Sequence, residues 1–239
     1  MVTSLTIIRY PVLLIPFAFA GMALHRFPLA INKNISFYKL MGSGRNGTFD
    51  KQPDLRQWAI LTVRDSFVNN APTEEQLILD LYGKSLYRWF RFFRCETATL
   101  LLEPIEGHGT WDDKKAFGDL PAKSEYDGPL AVLTRATLKF SKLKAFWENV
   151  PPVAGLMSTA PGFLISYGIG EVPWLKQATF SVWRSKNDMK AFAYGMKKHA
   201  EVIQKTRREN WYSEDMFTRF KILYSSGTVR GKKPLDGIL

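Results

Sequence analysis

The 239-residue sequence has a single cysteine, Cys95, and only three histidines. A lone thiol excludes an intramolecular disulfide framework and fits a reducing, cytoplasmic setting. Cysteine and histidine spacings of the zinc-binding kind are missing. So are paired carboxylates, a nucleophile elbow and a phosphate loop; Gly42-Ser43-Gly44 does not continue into G-x-G-x-x-G, since Gly47 leads into Thr48-Phe49-Asp50 rather than a helix. Disorder is excluded by 46% hydrophobic residues and 17 phenylalanines. The net charge of +11 is spread along the chain, and without a nucleic-acid motif it gives no reason to expect a nucleic-acid partner. An anionic membrane surface, an acidic protein or plain solvation answers the same charge.

Pro11 to Leu24 carries no charge but is shorter than the ~20 residues of a bilayer span. A strand-like Ser4–Tyr10 precedes it, unlike a signal peptide, and a buried helix is expected. An interfacial helix in peripheral contact with a membrane is the alternative.

Periodicity predicts a strand at Ser4–Tyr10, a helix from Pro11 to just before Pro28, and strands at Ile35–Met41 and Gln57–Arg64. A helix from the capping box Thr73/Gln76 to about Phe93 and a strand at Thr97–Glu103 follow. Lys114 to Gly128 reads as a linker. The pattern then repeats: strand Leu130–Phe140, a helix from Ser141 broken at Pro151-Pro152, strands Phe163–Tyr167 and Gln177–Arg184, a helix from Ser185, and strand Met216–Tyr224. Echoes in register support duplication: Gly42-Ser43-Gly44 with Gly168-Ile169-Gly170, and Gly109-Thr110 with Gly227-Thr228. Two β-α-β-β-α-β units are two ferredoxin-like halves, 1–113 and 129–239, joined by 114–128. The expected fold is α+β, a single-chain barrel of the dimeric type with its helices outside.

In the second half Met189, Phe192, Met196, His199 and Ile203 recur at three- and four-residue steps on one helical face. His199 is then either a core histidine bonded to a backbone carbonyl or an axial metal ligand, in an apolar cage of Phe192, Met196 and Ile203 that suits a porphyrin. His25 beside Arg26 and His108 in a glycine turn are weaker candidates. C-x-x-C-H is missing, so a haem here would be held non-covalently.

The runs PLAVLTRATLKF (129–140), FWENVP (146–151), GIGEVPWLKQATFSVW (168–183) and Lys198-His199-Ala200 resemble the spheroidene monooxygenase family of carotenoid biosynthesis. Leu5-Thr6-Ile7-Ile8-Arg9, Gly42-Ser43-Gly44 and Trp58-Ala59-Ile60-Leu61 extend the resemblance to the first half. It implies a haem b protein, with iron on His199, that takes O2 and electrons from a donor such as ferredoxin. Its reaction would oxidise the C2 methylene of an acyclic carotenoid to a ketone. The loop Arg45–Asp50 departs from the family pattern, and 231–239 lie outside it. Arg45 and Asn46 are candidate catalytic donors on the distal side of a haem, or an exposed polar turn. Trp58, Trp174 and Met216 are candidates for an apolar substrate pocket, or simply core. An aldoxime-dehydratase-like haem lyase and a non-enzymatic haem or lipophile carrier are the alternatives, and a homo-oligomer is compatible with all three.

Overall fold

A computed structural model describes residues 1–45, 47–48, 50–67, 70, 73–235 and 237, with the side chains of Pro152, Val153, Lys198 and His199 outside the described set. Eight strands are hydrogen-bonded in the order β1-β3-β2-β6-β7-β5-β8-β4, a closed α+β barrel as the duplicated unit predicts. The chain forms two compact units: residues 1–42, 54–103 and 222–239, and residues 43–53 and 104–221.

Unit 1 holds β1 (Val2–Arg9), α1 (Ile15–Leu24), α2 (Arg26–Ile31), most of β2 (Phe37–Gly44) and β3 (Pro53–Arg64), α3 (Glu74–Phe92) and the start of β4 (Glu96–Gly109). β1 lies between β3 and β4, antiparallel to both, with Ser4 opposite Thr62 and Thr6 opposite Thr99. The helix expected to stop before Pro28 instead continues through it as α2. Pro28 is in the first turn of that helix, where a missing N–H costs nothing. α3 starts as the capping box predicts, the Thr73 hydroxyl accepting from the Gln76 amide at 3.2 Å. It kinks at Gly83 (φ 80°), a left-handed conformation that glycine adopts freely. The kink leaves the carbonyls of Asp80 and Leu81 to accept from the Arg64 guanidinium.

Beneath α3 the sheet face is filled by a hydroxyl zipper. Ser4 Oγ lies 2.7 Å from Thr62 Oγ1, and the Tyr82 hydroxyl bridges Ser4 (3.1 Å) and Thr6 (2.7 Å). Thr6 continues to Thr99 (2.9 Å), which donates to Glu74 at 2.9 Å.

Unit 2 holds β5 (Leu130–Leu138), α4 (Leu143–Ala154), β6 (Phe163–Val172), β7 (Lys176–Trp183), α5 (Lys186–Lys190), α6 (Lys197–Arg208) and the larger part of β8 (Tyr212–Gly227). β5 lies between β7 and β8, as β1 lies between β3 and β4. Pro151-Pro152 does not break α4, which runs on to Ala154 before tightening into a 3-10 turn over Gly155–Thr159. Proline φ is helical, and near a helix end only two N–H bonds are forgone. Residues 114–128 lack regular structure yet are packed: Phe117 is buried and edge-on to Phe220 at 5.1 Å.

The echo at the ends of β4 and β8 is structural. Trp111 bridges Lys114 as Val229 bridges Lys232, and Gly109 and Gly227 both have φ near +80°. A carboxylate clasps each turn. Glu214 accepts from the Thr110 hydroxyl and Asp113 amide, and Glu96 from the Thr228 hydroxyl and the Arg230 and Gly231 amides.

Candidate functional site

Along β5, alternate residues face α4 and α6. Leu130 and Val132 join an apolar cluster with Met157, Trp183, Met189 and Phe192, while Leu138 joins a second with Phe146, Trp147 and Trp211. Between the clusters stand Thr134 and Ala136, with Thr134 opposite Thr179 of β7 and Phe217 of β8. Side chains this small do not span the gap to the helices. The result is a cavity of about 660 Å³ within unit 2, bounded by Thr134, Ala136, Thr179 and Ser181 on the sheet, Ala154 at the end of α4 and Met157 in the turn after it, and Val202, Ile203 and Thr206 on α6. A volume of this size takes a cofactor or a drug-sized ligand.

One side of the cavity is charged. Glu106, 2% exposed, is ion-paired with Arg219 and with Lys186 (2.5 Å), and accepts from the Ser124 amide at 3.0 Å. Two cations against one carboxylate leave this buried group with net positive charge. Burial lowers the pKa of the Arg219 guanidinium, whose face lies 4.8 Å over the Phe217 ring. Nε of Arg219 and Oγ1 of Thr179 are buried without a hydrogen-bond partner among the described residues. A buried polar atom left unpaired is costly, so such atoms in a cavity wall point to a group that pairs with them.

The sequence predicts one helical face through Met189, Phe192, Met196, His199 and Ile203. The structure interrupts it. α5 ends at Lys190, Ala191–Gly195 form a π turn, Met196 leaves the helix (φ −80°, ψ 110°), and α6 starts afresh at Lys197. A π turn has a wider hydrogen-bond ring than an α turn, which resets the register. Phe192 therefore stays in the Trp183 cluster with ring centroids 5.3 Å apart, Met196 packs at its margin, and Ile203 lines the cavity. The side chain of His199 lies outside the described residues. Its backbone is in α6, three, four and seven residues before Val202, Ile203 and Thr206, and helical spacing puts those four positions on one face.

The other candidates are scattered. Met216 lines the cavity. Trp174 does not: it is 56% exposed in the β6–β7 turn with φ 62°, and its carbonyl accepts from the Trp147 indole at 3.1 Å. Trp58 belongs to unit 1, where it meets Phe19 edge-on at 5.1 Å. Arg45 is exposed and bonds back to Gln52 and Pro53 of its own loop, the polar-turn alternative, and Asn46 lies outside the described residues.

Sequence reasoning missed Thr179, Ser181, Glu106 and Arg219. The alternation of Gln177, Thr179 and Ser181 was legible, but it reads as a solvent face. In the structure β7 is buried from Ala178 to Trp183, and this polar face forms the cavity wall.

Among the described residues no three of His, Cys, Asp and Glu cluster to hold a metal.

Residues 130–222 match a family described as a domain of unknown function, DUF3291. Over 238 residues the chain is 34% identical to the spheroidene monooxygenase of Rhodobacter capsulatus, covering 98% of this chain and 95% of that one. It is 34% identical over 219 residues to the spheroidene monooxygenase of Cereibacter sphaeroides, covering 91% of this chain and 64% of its relative. Among solved structures, an aldoxime dehydratase in complex with butyraldoxime superposes with a TM-score of 0.59 at 7% identity, over 93% of this chain and 79% of that one, a likeness of fold alone. The chain belongs to the spheroidene monooxygenase family, a family of oxidoreductases.

Proposed function

We propose that the chain is a haem-dependent monooxygenase that uses O2 and an external electron donor such as ferredoxin to oxidise an acyclic carotenoid or a similar lipophile. The observation that carries this reading is the unit 2 cavity. Its helical wall has a histidine position, 199, on the lining face, and its sheet wall holds the unpartnered Arg219 Nε and Thr179 Oγ1. Kinship with spheroidene monooxygenases supports the reaction type and the substrate class.

Haem b, held without a covalent bond, would supply the iron at which O2 is bound and activated. His199 is the residue that would hold the haem iron, through its imidazole. An imidazole pushes less electron density than a thiolate, so polar residues of the sheet wall would be needed as hydrogen-bond donors to bound O2. Arg219 is the leading donor: its ion pair with Glu106 fixes the guanidinium and leaves Nε for a group in the cavity. Thr179 offers a hydroxyl from the adjacent face. Taking a methylene to a ketone requires two oxygen insertions, each using one O2, two electrons and two protons and releasing one water, after which the geminal diol loses a further water; this is why a donor is required. Val202, Ile203, Ala154 and Met157 exclude water and leave a hydrocarbon to be selected by shape.

Purified protein supplied with haem is expected to show a Soret band that His199→Ala loses or shifts. With reduced ferredoxin and O2 it should convert an acyclic carotenoid to a ketone. Arg219→Leu should keep the Soret band yet lose turnover by roughly a hundredfold, the size of one oxyanion-type donor. Protein that stays colourless would remove the reading. Turnover under strict anaerobiosis would point to the lyase, and haem binding without product to the carrier.

A further inference from the structure

The helices of a water-soluble surface carry one apolar face and one polar face. α1 and α2 do not. Val12–Ile31 is a 20-residue run whose most apolar stretch has a mean hydropathy of 1.6, yet only 22% of that stretch is buried. Its inner face is narrow: Ala18, Gly21, His25 and Leu29 are buried. The inner face is pinned to α3, with His25 edge-on to Trp89 at 5.2 Å and Phe17 stacked on Phe93 at 4.7 Å. Gly21 permits this approach, since a Cβ there would stand 3.1 Å from the Tyr10 hydroxyl.

The outward face is apolar too. Leu13 is 90% exposed and Phe27 71%, and Phe92 of α3, 79% exposed, meets Phe93 edge-on at 4.9 Å and so extends the same patch.

The charge around this patch has one sign. From Met1 to Phe49 there is not one Asp or Glu. Arg26 and Lys33 are exposed at the two ends of α2, the later half of α3 adds exposed Lys84, Arg88 and Arg91, and exposed Arg94 follows it. The acids of α3, Glu74, Glu75 and Asp80, all precede Gly83. The Arg91 guanidinium donates to the Tyr87 hydroxyl, which in turn donates to Glu75.

We infer that α1, α2 and the tip of α3 form a docking surface for an anionic lipid bilayer, on which the helices lie flat. Apolar side chains ringed by cations are what an interfacial helix presents to acidic headgroups and the acyl boundary. The helices do not cross. The face pinned to α3 would have to be stripped from the protein first, and the two helices, of 10 and 6 residues, are each shorter than a ~30 Å hydrocarbon core requires.

Full-length protein would be sedimented with vesicles of phosphatidylcholine containing 30% phosphatidylglycerol, and with phosphatidylcholine alone. The expected result is partitioning that favours the anionic vesicles and weakens as salt rises. It should fall at least tenfold in Leu13→Glu/Phe27→Glu/Phe92→Glu, and should lose its lipid-charge preference in Arg26→Gln/Arg88→Gln. All these positions are exposed, and unchanged circular dichroism and melting would verify folding. The inference is overturned if wild type stays in the supernatant with anionic vesicles, or if the triple variant partitions equally. It is also overturned if sedimentation velocity without lipid finds a dimer that the triple variant dissolves, for then a second copy covers the patch.

Discussion

His25 is the buried group whose titration bears most directly on stability. Its ring is 4% exposed, edge-on to Trp89 and to Phe90, and Nε2 has no hydrogen-bond partner among the described residues. Burial disfavours the imidazolium and pulls the pKa from 6.5 down to about 4. The unfolded chain takes up this proton near pH 6.5, whereas the folded chain resists it until about pH 4. The stability tied to neutral His25 is therefore complete above pH 6.5 and drains away as pH falls towards 4. At ~1.4 kcal/mol per pH unit, a gap of about 2.5 units amounts to about 3 kcal/mol. Tyr10 and Cys95 share this apolar layer, but burial pushes both pKa values up, Cys95 to about 12, so neither ionises in the window. Urea unfolding of wild type and His25→Leu from pH 7.5 to 4 isolates the effect, since every other carboxylate and histidine is common to both. The difference between the two curves should change by about 3 kcal/mol across the window, in favour of the variant at low pH. Curves that stay parallel would refute the reasoning.

Glu106→Leu would leave Arg219 and Lys186 buried without their carboxylate, and urea unfolding should register a loss of about 3–5 kcal/mol, part of it regained in Glu106→Leu/Arg219→Leu. Gly168→Ala would set a Cβ 1.8 Å from the Thr48 carbonyl oxygen, backbone against backbone; thermal unfolding should show a loss of about 1–3 kcal/mol or more. Burial alone would raise the Glu96 carboxyl, but the amides of Gly231 and Arg230 and the Thr228 hydroxyl outweigh it and hold the pKa below the usual carboxylate range. Glu96→Gln should consequently flatten the loss of stability seen as pH drops through that range, measured as melting temperature against pH.

The duplicated architecture was legible because it rests on local rules. Alternation marked the strands, and the Thr73/Gln76 capping box formed as read; Ser185 opens its helix the same way, accepting from the Asp188 amide at 3.1 Å. The turn echo Gly109-Thr110 with Gly227-Thr228 became a repeated bridge and carboxylate clasp. The site was harder. Apolar spacing runs on through Phe192 and Met196 without registering the π turn that separates α5 from α6, because a pattern of residue types carries no record of a shifted hydrogen bond. A cavity is likewise a property of what fails to meet: Thr134 and Ala136 look ordinary in a strand until apolar clusters on both sides prop the helices away. Arg219 gave no signal, since its partner Glu106 is 113 positions away.

The hydroxyl zipper beneath α3 carries a consequence for stoichiometry. Two identical halves would present two equivalent sheet faces to their helices, and hence two equivalent sites. Here Tyr82 and its threonine and serine neighbours seal one face, while Thr134 and Ala136 leave the other open. On the proposed reading, a chain built this way would titrate with one ligand equivalent at this class of site, along a simple hyperbola, with one half as the specialist and the other as its support.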